Sequence, residues 1–345
     1  MTKNILIQGD NIKGLEYLLE KRKLKGKIDL VYIDPPFATG GNFTISNGRA
    51  TTVSNSKDGK VAYSDNLKGN DFIKFLKERL LILKELLSEE GSLYLHIDYK
   101  IGHYVKVMMD EVFGIESFRN DITRIKCNPK NFSRKGYGNI KDMILFYSKN
   151  QRFIWNEPYT RYNQKDATKL YPKIDEDQRR YTTVPIHAPG ETKNGKSAEK
   201  FKGILPPAGR HWRTNVKTLM QWDKEGLLEW SSTGNPRKKN YMDQMKGKKV
   251  QDIWEFKDPQ YPSYPTEKNE DMLNMIVSAS SNENSIVLDC FCGSGSTLYS
   301  AAKNGRKWIG IDKSNDAIKV TKKRFDNFKG DIFSTPFEYE FIKVY

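Results

Sequence analysis

Ile28-Asp29-Leu30-Val31-Tyr32-Ile33-Asp34-Pro35-Pro36-Phe37 is the stretch of the 345-residue chain whose reading decides the fold. The run from Ile28 to Ile33, aliphatic and aromatic apart from Asp29, predicts a strand buried on both faces, as in a parallel sheet covered by helices. Asp34 closes it at the C-terminal end, the edge where open α/β sheets carry their chemistry. Pro35 and Pro36 then fix φ and remove two backbone donors, so the turn is stiff and its carbonyls are left to accept. Phe37 adds a flat apolar face. A carboxylate, a rigid carbonyl and an aromatic plate suit the holding of a planar ring that bears an amine. A plain strand-ending Pro-Pro turn is the competing reading, and the tetrapeptide alone leaves both open.

Further along, Ser285-Ile286-Val287-Leu288-Asp289-Cys290-Phe291 repeats the buried-strand texture and runs into Cys292-Gly293-Ser294-Gly295-Ser296-Thr297. Gly293 and Gly295 permit a tight turn and close approach of a ligand to the backbone. Ser296 and Thr297 are suited to cap a helix in which Leu298, Ala301 and Ala302 recur at helical spacing. Lys307-Trp308-Ile309-Gly310-Ile311-Asp312 then reads as another strand ending in an acid. Strand, glycine turn, helix, strand, acid is the nucleotide-binding βαβ order, with Asp312 placed to accept from ribose hydroxyls. The third glycine of the dinucleotide fingerprint is missing, which disfavours a nicotinamide or flavin.

Asp34-Pro35-Pro36-Phe37 together with Phe291-x-Gly293-x-Gly295 resembles the amino methyltransferases that modify DNA with S-adenosylmethionine. The tetrapeptide precedes the glycine turn, as in the permuted β class of that family. Gln8-Gly9-Asp10-Asn11, the run from Phe72 to Gly114 and Tyr264-Pro265-Thr266-Glu267-Lys268 match in order, so the likeness covers roughly 1–150 and 260–327 and is nearest to modification subunits of restriction systems. Asn269 stands where the family has proline. The resemblance implies a Rossmann-like α/β fold, mostly parallel and circularly permuted, with an inserted smaller target-recognition domain. It implies a catalytic first part at 1–150, an inserted region at 151–262 and a second catalytic part at 263–345. S-adenosyl-L-methionine is the implied cofactor, bound by Asp10, Asp34, Thr266, Lys268, Asp289, Phe291, Gly293, Gly295 and Asp312. Asp34, Pro35, Pro36 and Phe37 are the implied catalytic residues. Double-stranded DNA is the implied partner; a homodimer and a cognate restriction endonuclease come with the resemblance alone, and no residue pattern carries either.

Composition agrees with these expectations. The chain is long enough for one substantial core and a second, smaller lobe. A net charge of +15 and a pI near 9.4 point to a polyanionic partner. No stretch approaches the ~20 apolar residues that span a bilayer, and the N-terminal residues lack the shape of a signal peptide. Three cysteines, Cys127, Cys290 and Cys292, point to a reducing cytoplasm rather than a disulfide framework. Cys290 and Cys292 lack histidines at ligand spacing, so no metal is expected and they read as small buried fillers.

Asp10 follows a short strand at Asn4–Gln8, with Asn11 able to cap a helix carrying Leu15, Leu18 and Leu19. Residues 38 to 70 are polar and aperiodic, a candidate lid or DNA-contacting loop. Phe72, Phe75, Leu76, Leu80, Leu83, Leu86 and Leu87 follow helical spacing, with charges on the other face. His96 reads as a buried structural histidine. Between 151 and 262 regular elements are hard to place, and aromatics interleave with basic residues. From Lys193 to Val250 there are fourteen Lys and Arg against five Asp and Glu, a local excess of nine in fifty-eight residues. Arg210, Arg213, Arg237, Lys238 and Lys239 are the candidate DNA contacts, neutralising phosphates or, for arginine, reading guanine edges. A solvated charged surface is the bland alternative for any one cluster.

The residue types suggest a mechanism. An exocyclic aromatic amine is a poor nucleophile because its lone pair is conjugated with the ring. Hydrogen bonds from its two N–H groups to Asp34 and the Pro35 carbonyl draw the nitrogen toward a tetrahedral geometry, and attack on the sulfonium methyl is then direct. Cytosine carbon methylation requires a cysteine nucleophile, and the chain has no Pro-Cys dipeptide. On the family pattern, aspartate at the first motif position favours adenine N6 over cytosine N4. RNA or protein glutamine as substrate, and a non-catalytic DNA-specificity subunit, are the remaining readings.

Overall fold

The computed structural model describes residues 3–36, 42–46, 49–51, 60–64, 69–129, 131, 133, 135–192, 194–259, 267–327 and 338–345, with backbone only for 42–46, 49–51 and 60–64. The chain forms two compact units, 1–158 with 251–345, and 159–250.

In the first unit, β1 (Asn4–Gln8) and α1 (Asn11–Glu20) lead into β2 (Ile28–Ile33). Then follow α2 (Asn70–Leu86), β3 (Leu87–Ile97), α3 (Tyr99–Phe113), β4 (Phe118–Ile125) and β5 (Lys141–Ser148). After the second unit come β6 (Ile253–Trp254), α4 (Glu270–Ser280), β7 (Ile286–Asp289), α5 (Ser296–Lys303), β8 (Lys307–Asp312), α6 (Asn315–Asp326) and β9 (Tyr339–Lys343). Among the described residues these strands form one nine-stranded sheet in the order β6-β4-β5-β3-β2-β7-β8-β1-β9. Only β5 runs antiparallel to its neighbours β3 and β4; the other pairings are parallel.

The central strands are mainly apolar in their buried stretches, as strands covered on both faces are. Ile28, Leu30, Val31, Ile33, Leu93, Leu95, Val287, Leu288 and Ile311 are fully buried. Register sets Val31 opposite both Leu93 and Leu288, Leu288 opposite Ile309, and Gln8 opposite Asp312. The C-terminal ends of β3, β2, β7, β8 and β1 therefore stand side by side on one rim.

Several local expectations shift. The cap of α1 is Asp10, whose carboxylate accepts from Ile12 N–H, and Asn11 is already helical. Leu87 opens β3 instead of closing α2. α5 starts at Ser296 behind Gly295 in the left-handed region, with no side-chain cap from Ser296 or Thr297. One charge of α2 sits on the core side: Arg79 is 4% exposed. Within 38–70 the described backbone forms a three-stranded antiparallel sheet of Asn42–Ser46, Arg49–Thr51 and Lys60–Ser64, where aperiodicity had predicted only a loop.

The second unit is built on short antiparallel strands. Lys173–Ile174, Arg180–Pro185, Pro236–Tyr241 and Leu228–Trp230 make a four-stranded sheet in that order, and His187–Pro189 pairs with Arg210–Trp212. Its core is small, with Ile186, Phe201, Trp212 and Leu219 at its centre. Trp212 Nε1 donates to the Glu199 carbonyl, so the buried indole leaves no polar atom unpaired. Among the described residues no helix is long and apolar enough to cross a membrane.

Candidate active site

Four acids close four neighbouring strands. Asp34 follows β2, Asp289 ends β7, Asp312 ends β8 and Asp10 stands two residues after β1. The turn of Asp34 and the glycine turn, more than 250 residues apart in sequence, are thus brought to adjacent positions by the β2–β7 pairing.

Asp34 has one engaged oxygen and one open one. Oδ2 lies 2.8 Å from Lys268 Nζ, while Oδ1 is buried with no hydrogen-bond partner among the described residues. A buried acceptor left unmet costs free energy, and a catalytic role is one of the reasons a native protein keeps such a group. Pro35 is buried beside it. Phe37 and Thr266 lie outside the described residues.

The glycine turn is shaped by its own backbone and by α6. Gly293 and Gly295 have φ of 50° and 74°, the left-handed region that favours glycine. The Gly293 amide donates to Asp312 Oδ2 at 2.9 Å and the Ser314 amide to Oδ1 at 2.8 Å. From below, Thr321 Oγ1 donates to the Gly293 carbonyl and Arg324 Nε to the Ser294 carbonyl, each at 2.9 Å. Arg324 also pairs with Glu267.

Electrostatics concentrate here. Burial pushes the Asp289 carboxyl up to about 7, against hydrogen bonds from Thr297 and the Phe291 amide; the charges of Asp34 and Asp312 add to the rise. Burial also raises Asp312, opposed by the Ser314 and Gly293 amides. A cation is the ligand that would relieve such crowding of carboxyl groups.

Asp10 sits at the far side of the rim. Arg79 approaches its carboxylate at 3.9 Å, donates to Asn11 Oδ1 and the Phe75 carbonyl at 2.7 Å each, and stacks on the Phe75 ring at 3.4 Å. Asn11 donates to the Cys290 carbonyl, and Phe75 packs against Phe291 with centroids 6.2 Å apart. Arg79, outside the expected site residues, falls on the helix face of Phe72, Leu76 and Leu83.

Under the tetrapeptide lies a buried polar chain. Tyr32 hydroxyl meets His96 Nδ1 at 3.0 Å, and His96 Nε2 meets Asp142 at 3.1 Å. Asp142 also takes Lys126 at 2.6 Å and Arg124 at 3.5 Å. Burial lowers the histidine pKa, helped by the charge of Lys268. A neutral ring donates Nε2–H to Asp142 and accepts from Tyr32 at Nδ1. Cys290 and Cys292 are buried, and burial raises both thiols well above their ordinary range. Among the described residues no group of three His, Cys, Asp or Glu is placed to hold a metal.

The candidate DNA contacts are all in the second unit, and they are not equivalent. Arg210 and Arg213 are exposed; Arg210 Nη1 is 3.3 Å from His187 Nδ1, and Arg213 Nε donates to the His187 carbonyl. Arg237 is engaged with Thr183, Lys238 lies over Trp222 at 4.0 Å and Lys239 over Tyr181 at 5.4 Å. Strand alternation turns Arg237 and Lys239 to one face and Lys238 to the other. His187 marks the basic focus: burial and then the charges of Arg210, Arg213 and Arg237 lower its pKa.

A family model described as DNA methylase, of the N6/N4 methyltransferases, matches residues 28–323. Type II methyltransferase M.EcaI of Enterobacter cloacae is 41% identical over 328 residues, 93% of this chain and 69% of that protein. Type II methyltransferase M2.LlaDCHI of Lactococcus lactis subsp. cremoris is 34% identical, covering 93% of this chain and 89% of its own length. The probable HindVI Mod subunit of Haemophilus influenzae is 25% identical, and the chain spans about half of it, 51%. In fold, the chain is similar to the PvuII DNA methyltransferase, whose description gives it as cytosine-N4-specific, with TM-score 0.50, 14% identity and coverage of 97% of this chain and 89% of that one. It is also similar to a Thermus thermophilus protein described as a DNA modification methylase, TTHA0409, complexed with S-adenosyl-L-methionine, with TM-score 0.50, 14% identity and coverage of 99% and 98%.

Proposed function

The chain belongs to the N6/N4 DNA methylase family, and from that membership we propose that it is a site-specific DNA adenine N6-methyltransferase of a restriction-modification system. The methyl donor in this reading is S-adenosyl-L-methionine. The observation that carries it is Asp34: a largely buried carboxylate with one oxygen unpartnered among the described residues, adjacent on the rim to a glycine turn held in the left-handed conformation.

The residues fit the donor. Asp10, Asp34, Asp289 and Asp312 bring four carboxyl groups to neighbouring strand ends, a setting that favours a cation. Asp312 is the acceptor for ribose hydroxyls and Asp10 for the adenine end; Phe291 supplies apolar packing, and Thr266 belongs to the methionine end. When bound, S-adenosyl-L-methionine supplies a methyl group on a positively charged sulfur.

Asp34 Oδ1 and the Pro35 carbonyl each accept one N–H of the target amine. The nitrogen lone pair is thereby freed from the ring, by positioning and electrostatics alone. Once methylated, the nitrogen carries one proton too many, and Asp34 Oδ1 is placed to take it. Phe37 stacks on the extruded base, a contact worth about 1–3 kcal/mol, against an unstacking cost of a few kcal/mol. Residues 151–262, containing the second unit, serve target recognition, with Arg210 and Arg213 as the exposed members of the five basic candidates.

Aspartate at the first position of the tetrapeptide supports adenine over the N4 amine of cytosine. Methyl incorporation from labelled donor into duplex DNA, RNA and protein tests the substrate class. Labelled duplex DNA with bare RNA and protein is expected; label confined to RNA or protein overturns the reading.

A further inference from the structure

Lys268 meets the Asp34 carboxylate where both are largely withdrawn from solvent, at 10% and 15% side-chain exposure. A lysine in bulk water would gain little from such a pair, but desolvation strengthens it. Only Oδ2 is engaged, and Oδ1 stays buried and unpartnered among the described residues. The ammonium thereby fixes which carboxylate oxygen is spent and which is open.

The backbone that carries Lys268 is itself pinned on both sides. Glu267 is held by Arg324 of α6, whose Nε also bonds the Ser294 carbonyl in the glycine turn. Asn269 accepts from the Met272 amide as the cap of α4 and donates to the Lys257 carbonyl at 3.0 Å. Arg324, Glu267, Lys268 and Asp34 thus run as one contiguous series from the glycine turn to the carboxylate.

Resting on the amine-methylation reading, we propose that Lys268 is a positioning residue for Asp34. It holds Oδ2 so that Oδ1 faces the target amine. This is a different task from holding the methionine end of the cofactor, which the family resemblance alone would give it. Other titratable groups facing Asp34 are Asp289 on β7, His96 on β3 and Tyr32 on its own strand. Lys268→Met would leave Asp34 facing these acidic and neutral groups.

The test uses the full chain with Lys268→Met and Lys268→Arg, measuring cofactor Kd by calorimetry and kcat on duplex DNA at saturating cofactor. Lys268→Met is expected to bind S-adenosyl-L-methionine within about threefold of wild type while kcat falls about 100-fold. Lys268→Arg, which keeps the charge, recovers kcat by about tenfold over the methionine variant. Unchanged kcat at saturating cofactor, or a Kd that rises in step with the loss of kcat/KM, overturns the proposal and returns the lysine to the cofactor. Retained cofactor binding by Lys268→Met shows that the variant is folded. Wild-type protein that binds cofactor yet methylates no DNA contradicts the functional reading, and this proposal with it. Active wild type beside an unimpaired Lys268→Met contradicts this proposal alone.

Discussion

The acids of the rim are held in different ways, Asp34 by the Lys268 ammonium and Asp312 by the Gly293 and Ser314 amides. Asp34 and Asp312 could be picked out because each ends an apolar run, and a charge in that position has few structural excuses. Lys268 as the partner of Asp34 was not legible: 234 positions separate them, and only the folded sheet brings them to 2.8 Å. Asp289 was marked by its place before the glycine turn, but its depth was not. Burial first, with its acidic neighbours, raises its pKa from 3.8 to about 7. The folded chain keeps that proton where the unfolded chain has lost it. The contribution to stability is complete below the unfolded value and is lost as pH rises through about 7. Asp289→Asn cannot titrate, so wild type is expected to lose thermal stability relative to this variant between about pH 4 and pH 7. Thermal melts of both proteins across that range check it; parallel curves would show that Asp289 ionises normally.

At the scale of elements, long apolar strands and amphipathic helices were legible, while caps and boundaries were settled by geometry. Asp10 outranks Asn11 as a cap because its carboxylate reaches the Ile12 amide. Arg79 evaded the pattern because an arginine on the core face breaks the binary rule, though its spacing from Phe72 and Leu76 was visible. Its planar head pairs with Asn11 and stacks on Phe75, so the charge is carried inside by specific partners. The strands within 38–70 also had a signal: Asn47-Gly48, the dipeptide of two-residue hairpins, separates Asn42–Ser46 from Arg49–Thr51. Gly310 shows what the missing third glycine of the turn leaves behind. In mid-β8 it has Leu298 of α5 against its backbone, and an added Cβ would collide with that side chain and stand 3.2 Å from Cys292 Sγ. Leu298 is fully buried and has little room to yield. Gly310→Ala should therefore cost about 1–3 kcal/mol by overpacking. Chemical denaturation measures it, and an unchanged midpoint would mean that the helix can shift outward.

For the whole molecule, the permuted order was readable from two motifs, because each announced a strand end and parallel sheets put all such ends on one side. The second unit was not readable: its strands have two to six residues and many half-exposed positions, so neither periodicity nor length rises above the charge pattern. Its basic residues divide by encumbrance. Exposed Arg210 should contribute more to DNA affinity than Lys238, which is drawn onto Trp222. Arg210→Ala is expected to lower the salt slope of duplex binding by about one phosphate contact, Lys238→Ala by less; the reverse order would overturn this ranking and make Lys238 the stronger phosphate contact. The central claim is that Asp34 draws an exocyclic adenine amine into attack beside the glycine turn. It is tested most directly by mass spectrometry of nucleosides from duplex DNA incubated with labelled S-adenosyl-L-methionine and either wild type or Asp34→Asn. Labelled N6-methyladenine from wild type, with only background from Asp34→Asn at unchanged cofactor affinity, is the predicted result. Equal labelling by the two proteins, or label found solely as N4-methylcytosine, would contradict it.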